Sequence, residues 1–235
     1  MTAVKASQIA LITLGLAEDY LGSYRASLRW ALSLGNPSYS SNKSYWYVSD
    51  KFRQKGWLKN TQTDLQLLQK GREELLRQFP LLEWRKLPWD GKWRVVMYDL
   101  PEKIKSKRDL LRTWLQKLGF GQWQMSVWVS PHPVISQISQ ILIQTGLDQY
   151  CSVHESKRVI GKKDQDFAND IWKLEQINEQ YLEILKRPIL PEYRKRLFEM
   201  LMEDPMLPKE LLPSNWRWDL LMKKITLNTT SDRLS

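Results

Sequence analysis

The chain has 235 residues, 42% of them apolar, enough to bury one to three cores of domain size. It carries 36 Lys and Arg against 26 Asp and Glu, a net charge of +10, with 12 Trp, one cysteine (Cys151) and two histidines (His132 and His154). This inventory excludes a disulfide scaffold and a cysteine-based zinc site, and the aromatic content argues against a disordered basic tail.

From the N-terminus, Ile9, Ile12 and Leu16 recur at spacings of three and four and predict a helix over 5–16. A second helix is expected over 27–34, stopped by Gly35, Asn36 and Pro37. After a loop rich in Ser, Asn and Pro, Asn42 or Ser44 can cap a third helix that ends at Lys55, where Gly56 suits the C-terminal cap. Residues 57–60 and 65–68 read as short strands joined by Thr61 to Asp64, and a further helix is expected over 71–79. Helix, helix, helix, hairpin, helix is the order of a winged helix-turn-helix, assigned to residues 1–82.

On a helical wheel the third helix turns Tyr45, Val48 and Phe52 to one side, the expected core. Lys43, Tyr47, Asp50 and Gln54 fall opposite, with Trp46, Lys51 and Arg53 on the flanks. In a helix-turn-helix the helix in this position enters the major groove, where Gln suits adenine and Lys suits guanine. Asp50 is awkward beside phosphates; it could accept from a cytosine amine or pair with Arg53 or Lys51.

Further along, residues 93–98 alternate as a strand, broken by Asp99, Leu100 and Pro101. A helix follows with Leu110, Leu111, Trp114, Leu115 and Leu118 on one face, and Gly119 ends it. A strand over 125–130, a helix over 134–145 and strands near 150–153 and 158–160 would complete a βαββαβ ferredoxin-like domain over 83–162. Residues 163–235 are expected to be helical, with one amphipathic helix over 166–186, another over 192–202, a rigid connection marked by Pro205, Pro208 and Pro213, and a polar tail that frays after Leu227. The fold class expected is therefore α+β.

The charge is uneven along this plan. Residues 1–87 hold 13 basic and 7 acidic residues, 88–160 hold 10 and 6, and 161–235 hold 13 of each. Arg25, Arg29, Lys43, Lys51, Arg53, Lys55 and Lys59 face a single acid, Asp50, between residues 20 and 60. Such a cluster is the electrostatic footprint of a nucleic-acid-binding module, the alternative being a solvated basic surface without a partner. No run reaches the roughly 18 apolar residues of a membrane span, and the apolar stretch over 9–17 lacks a small-residue cleavage site, so a cytoplasmic protein is expected.

Three regions carry a family resemblance. The stretch DGKWRVVMYDLPE, KRDLLRTWLQKLGFG and SVWVSP, within residues 89–131, resembles the central domain of the PaaX family of bacterial transcriptional repressors. RQKGWL at 53–58 resembles the end of that family's recognition helix, and DPMLPKELLPSNW at 204–216 resembles its C-terminal signature. The resemblance implies a winged helix, a ferredoxin-like domain and a helical C-terminal domain in a homodimer that binds double-stranded DNA as a repressor. It also implies a small effector, an aryl-CoA thioester such as phenylacetyl-CoA, while no cofactor or resident metal is expected.

The DNA contacts expected are Arg25, Arg29, Lys51, Arg53 and Lys59 to phosphates, and Lys43, Tyr47 and Gln54 to bases. The central domain is also similar to the small ferredoxin-like subunit of the CRISPR adaptation machinery, in which an Asp at the end of the first strand can hold a metal across a dimer. Asp99 occupies that position, so the alternative reading is a metal-dependent nuclease; the simpler one is that Asp99 forms a turn.

Overall fold

A computed structural model of the chain describes residues 6–17, 20, 23, 24, 27, 28, 31, 42–158, 160–187, 196, 197, 199, 200 and 203–231. These group into two compact units. One takes the described residues of 1–79, 176–204 and 215–235, and the other takes 80–175 and 205–214.

In the first unit, α1 (Ala6–Leu16) buries Ala10, Leu11, Ile12, Thr13, Leu14 and Leu16, so it has no solvated face where its side chains are described. The α2 helix (Asn42–Gln54) is amphipathic, and Tyr45, Val48 and Phe52 are buried as their spacing requires. It ends in a Schellman motif. Gly56 takes φ +69°, its N–H donates to the Arg53 carbonyl at 2.9 Å, and the Trp57 N–H donates to the Phe52 carbonyl at 2.9 Å.

The chain then forms a hairpin, β1 (Leu58–Asn60) against β2 (Leu65–Leu67), with Lys59 opposite Gln66. Leu58, Leu65 and Leu67 point inward while Lys59 and Gln66 are exposed, the alternation that the pleat imposes. Thr61 and Asp64 close the turn, the Thr61 N–H reaching the Asp64 carbonyl at 2.9 Å and the Asp64 N–H reaching Thr61 Oγ1 at 2.9 Å. Helix α3 (Gln69–Gln78) packs on this hairpin through Gly71, where a Cβ would lie 2.6 Å from the Trp57 carbonyl oxygen. Of the expected second helix over 27–34, only Ser27, Leu28 and Ala31 are described, and these are helical and buried.

The second unit opens with the short α4 (Leu81–Trp84) and contains one four-stranded antiparallel sheet. Its strands are β3 (Trp93–Tyr98), β4 (Gly121–Gln124), β5 (Val127–Ser130) and β6 (Cys151–Ser156), in the order β4-β5-β3-β6. Helices α5 (Lys105–Lys117) and α6 (Ile135–Thr145) supply Leu111, Leu115, Ile138 and Leu142 to a core with Val96, Tyr98 and Trp128. This is the βαββαβ ferredoxin-like arrangement, so the α+β class holds.

Four details depart from the sequence reading. The second strand is Gly121–Gln124, and 158–160 contributes none among its described residues; Gln122 and Gln124 flank an exposed Trp123, so the strand lacks apolar alternation. Leu110 is 46% exposed, because the sheet covers only the Leu111 and Leu115 side of α5. The helix expected over 166–186 is two, α7 (Asp164–Trp172) and α8 (Leu174–Lys186), separated by Lys173 at φ +57°. The Asn169 side chain holds that break by accepting from the Glu175 N–H at 3.0 Å. Finally, α9 (Trp218–Ser231) continues past Leu227, where fraying was expected.

In the second unit α7 covers part of the sheet face opposite α5 and α6. Gly121 makes this possible, since a Cβ there would stand 2.3 Å from Ile171 Cγ2. Trp93 packs edge-on to Phe167 at 5.1 Å and its indole N–H donates to Asp164 at 2.9 Å. In the first unit the C-terminal residues are held by a buried Tyr181, which donates to Asp204 at 2.5 Å and meets the rings of Trp216 and Trp218.

Candidate nucleic-acid interface

The solvent side of α2 is set by the burial of its other side. With Tyr45, Val48, Ser49 and Phe52 inward, the 3.6-residue period leaves Trp46, Tyr47, Asp50, Lys51 and Gln54 exposed. Tyr47 is 67% exposed and Trp46 is 52% exposed, unusual for rings of this size on a packed helix. The Lys51 ammonium stands 5.9 Å from the Tyr47 ring centre. Arg53 is partly buried, and its guanidinium donates to Asp50 Oδ1. Among the residues expected to touch DNA, the structure thus brings Tyr47, Lys51 and Gln54 onto one exposed helical surface with Asp50, and turns Arg53 toward that carboxylate.

Lys59 is exposed on β1. Arg25, Arg29 and the side chain of Lys43 lie outside the described residues. Two further cations border the end of α2 and were absent from the sequence reading of contacts. Lys55 lies over the Trp57 ring at 4.2 Å, and the Lys70 stem comes within 3.8 Å of where a Gly56 Cβ would be. Trp46 was placed on the flank of the wheel, and only its exposure in the structure identifies it as surface. For Lys70 the clue was the tight Gly56 turn, which brings the start of α3 back toward the end of α2.

The second unit holds the remaining residues singled out from sequence. Asp99 is exposed just past β3, its N–H donating to the Tyr150 carbonyl at 3.0 Å. Among the described residues no three His, Cys, Asp or Glu side chains converge on a common point, there or elsewhere. His132 is fully buried against Trp84 with ring centres 5.9 Å apart, and burial lowers its pKa to about 4. Neither ring nitrogen makes a hydrogen bond of normal geometry; the nearby Pro205 backbone favours the charged form too weakly to offset that burial. His154 is exposed on β6. Burial pushes the Cys151 thiol up to about 11, which leaves almost no thiolate near neutrality and removes it as a nucleophile.

Residues 86–168 match the family model for the PaaX protein central Cas2-like domain. Over that span, about a third of the chain, the sequence is similar to the PaaX central domain. The strings at 89–131 lie inside that span. A solved structure titled as an uncharacterized protein Rv0674 from Mycobacterium tuberculosis is similar, at 17% identity and a TM-score of 0.55, over 95% of this chain and 94% of that one. At that identity the likeness is one of fold. No curated protein matches the chain. No described helix is long and apolar enough to cross a membrane.

Proposed function

We propose that this chain is a PaaX-type transcriptional regulator that binds double-stranded DNA sequence-specifically through a winged helix-turn-helix in residues 1–82. The observation that carries the proposal is the solvent face of α2, where Tyr47, Lys51 and Gln54 stand exposed together on a helix followed at once by a hairpin bearing Lys59. A helix so placed inserts in the major groove, Gln54 reading adenine and Tyr47 packing on thymine methyl groups, while Lys51 and Lys59 reach phosphates. The family resemblance supports the finer reading of a homodimeric repressor released by an aryl-CoA thioester such as phenylacetyl-CoA.

Binding of the full chain to duplex fragments of its own upstream region, measured against salt concentration, tests this. Log affinity is expected to fall linearly with log salt, and Lys51→Ala and Lys59→Ala are each expected to flatten the slope by about one. Unchanged slopes would remove this face from the contact. Phenylacetyl-CoA is expected to release the bound fragment, and its failure would reject that effector class. Magnesium- or manganese-dependent cleavage of the fragment that is lost in Asp99→Ala would replace the regulator reading with the nuclease one.

A further inference from the structure

Asp50 sits in the middle of the solvent face of α2, one turn from Trp46 and Tyr47 on one side and from Arg53 and Gln54 on the other. A carboxylate there opposes the phosphate backbone, and a helix that merely followed backbone charge would gain by having any other side chain. The structure shows how it is held. Arg53 NH2 donates to Oδ1, while Oδ2 accepts nothing from a described residue and the side chain stays 51% exposed. The guanidinium thus neutralises the carboxylate and fixes its direction, and Oδ2 has no partner among the described residues.

In the major groove, guanine presents only acceptors and thymine an acceptor and a methyl group; adenine pairs its amino donor with the N7 acceptor beside it. Cytosine alone presents an amino donor without an adjacent acceptor, which is the edge a carboxylate oxygen suits. We infer that Asp50, oriented by Arg53, is a specificity-determining residue that requires a C·G pair at one position of the recognised duplex. The inference rests on the assignment of α2 as the DNA-reading helix, and Arg53 acts in it as a positioning residue.

The test is selection by the full chain from duplexes with a randomised segment, comparing the wild type with Asp50→Asn, Asp50→Ala and Arg53→Gln. All three changes fall on exposed or partly exposed positions, so the fold is retained. The wild type is expected to select C at one position, with other bases disfavoured roughly tenfold or more. Asp50→Asn is expected to convert that position to A, because an amide pairs bidentately with adenine N6 and N7. Asp50→Ala removes the preference there and leaves the other positions, and Arg53→Gln weakens it without changing the base.

An identical selected sequence for the wild type and Asp50→Asn overturns the inference. So does a change confined to the salt slope, which would make Asp50 a charge partner of Arg53 and nothing more. Wild-type protein that retains no duplex fails at the earlier step, the assignment of α2 to DNA, and the inference falls with it.

Discussion

In the sheet-bearing unit Arg94 is 4% exposed, its guanidinium closed in by Asp90 at 2.5 Å, Glu155 at 3.0 Å and the Pro131 carbonyl at 3.0 Å, whereas Lys51 on α2 is exposed, with the Tyr47 ring beside it and no ion pair to a described residue. The contrast extends to their neighbours. Lys92 meets Glu155, Lys162 meets Asp170, Arg158 meets Asp164 and Arg112 meets Asp109, while Lys55 and Lys59 make no ion pair with a described residue. Both regions are basic by count, but in the sheet-bearing unit about half of the cations, Arg94 the most buried among them, are matched by carboxylates already in place. Net charge therefore gives only an upper bound on what a polyanion can use, and in the proposed reading Lys51 and Lys59 are the cations of the α2 and hairpin region that it would meet.

The sharpest break of this comparison is Arg94→Ala. It strips the Pro131 carbonyl of a donor and Asp90 of its guanidinium partner, while Glu155 keeps Lys92, so the unfolding free energy is expected to fall by about 3 kcal/mol in urea titration. DNA affinity measured below the transition should stay within about twofold, since this guanidinium is spent internally. A changed salt slope would show that the sheet-bearing unit also contacts phosphates.

Acid should separate the two units next. The folded His132 titrates at about 4, below its ordinary 6.5, so between these values the unfolded chain binds more protons and stability rises with pH. The contribution is complete above about pH 6.5 and is lost as the pH falls to about 4, on the order of 3 kcal/mol. His132→Phe is expected to be less acid-sensitive over that window by thermal melts at each pH. Equal pH dependence would deny the buried neutral imidazole.

Gly71→Ala is a smaller effect in the first unit. Alanine is the better helix former, but its methyl would meet Trp57 backbone at 2.6 Å and Leu67 at 2.7 Å. A net loss of about 2 kcal/mol is expected by denaturant titration, together with weaker DNA binding as the hairpin shifts. The least perturbing change is the Lys51→Ala, Lys59→Ala double variant. Its stability should move by less than about 0.5 kcal/mol, while its salt slope drops by about two. Loss of stability in place of slope would mean that these lysines serve the fold.

Much of this was legible along the chain. Tyr45, Val48 and Phe52 announced the buried side of α2 by spacing alone, and Gly56 announced its end, because helix period and left-handed backbone are local properties. The Trp93–Tyr98 strand was equally plain from its β-rich composition. Less visible was β4, whose Gln122, Trp123 and Gln124 carry no alternation and which is identified by its pairing with β5. The break at Lys173 has no glycine or proline to mark it and depends on the Asn169 side chain closing the turn. At the candidate interface, Asp50 could be placed opposite the core, yet its choice of Arg53 over Lys51 is a matter of side-chain direction that a wheel does not contain.

The amino-acid sequence by itself determined the local elements, the α+β class, the resemblance of the central strings to PaaX and the excess of positive charge. Tertiary structure decided which of those charges are free. An apolar stripe or a capping glycine acts through neighbours within a turn or two, so order along the chain is enough to read it. A cation is neutralised by whichever carboxylate folding brings within a few ångströms, and for Lys92 and Arg94 that partner is Glu155, on a strand far along the chain.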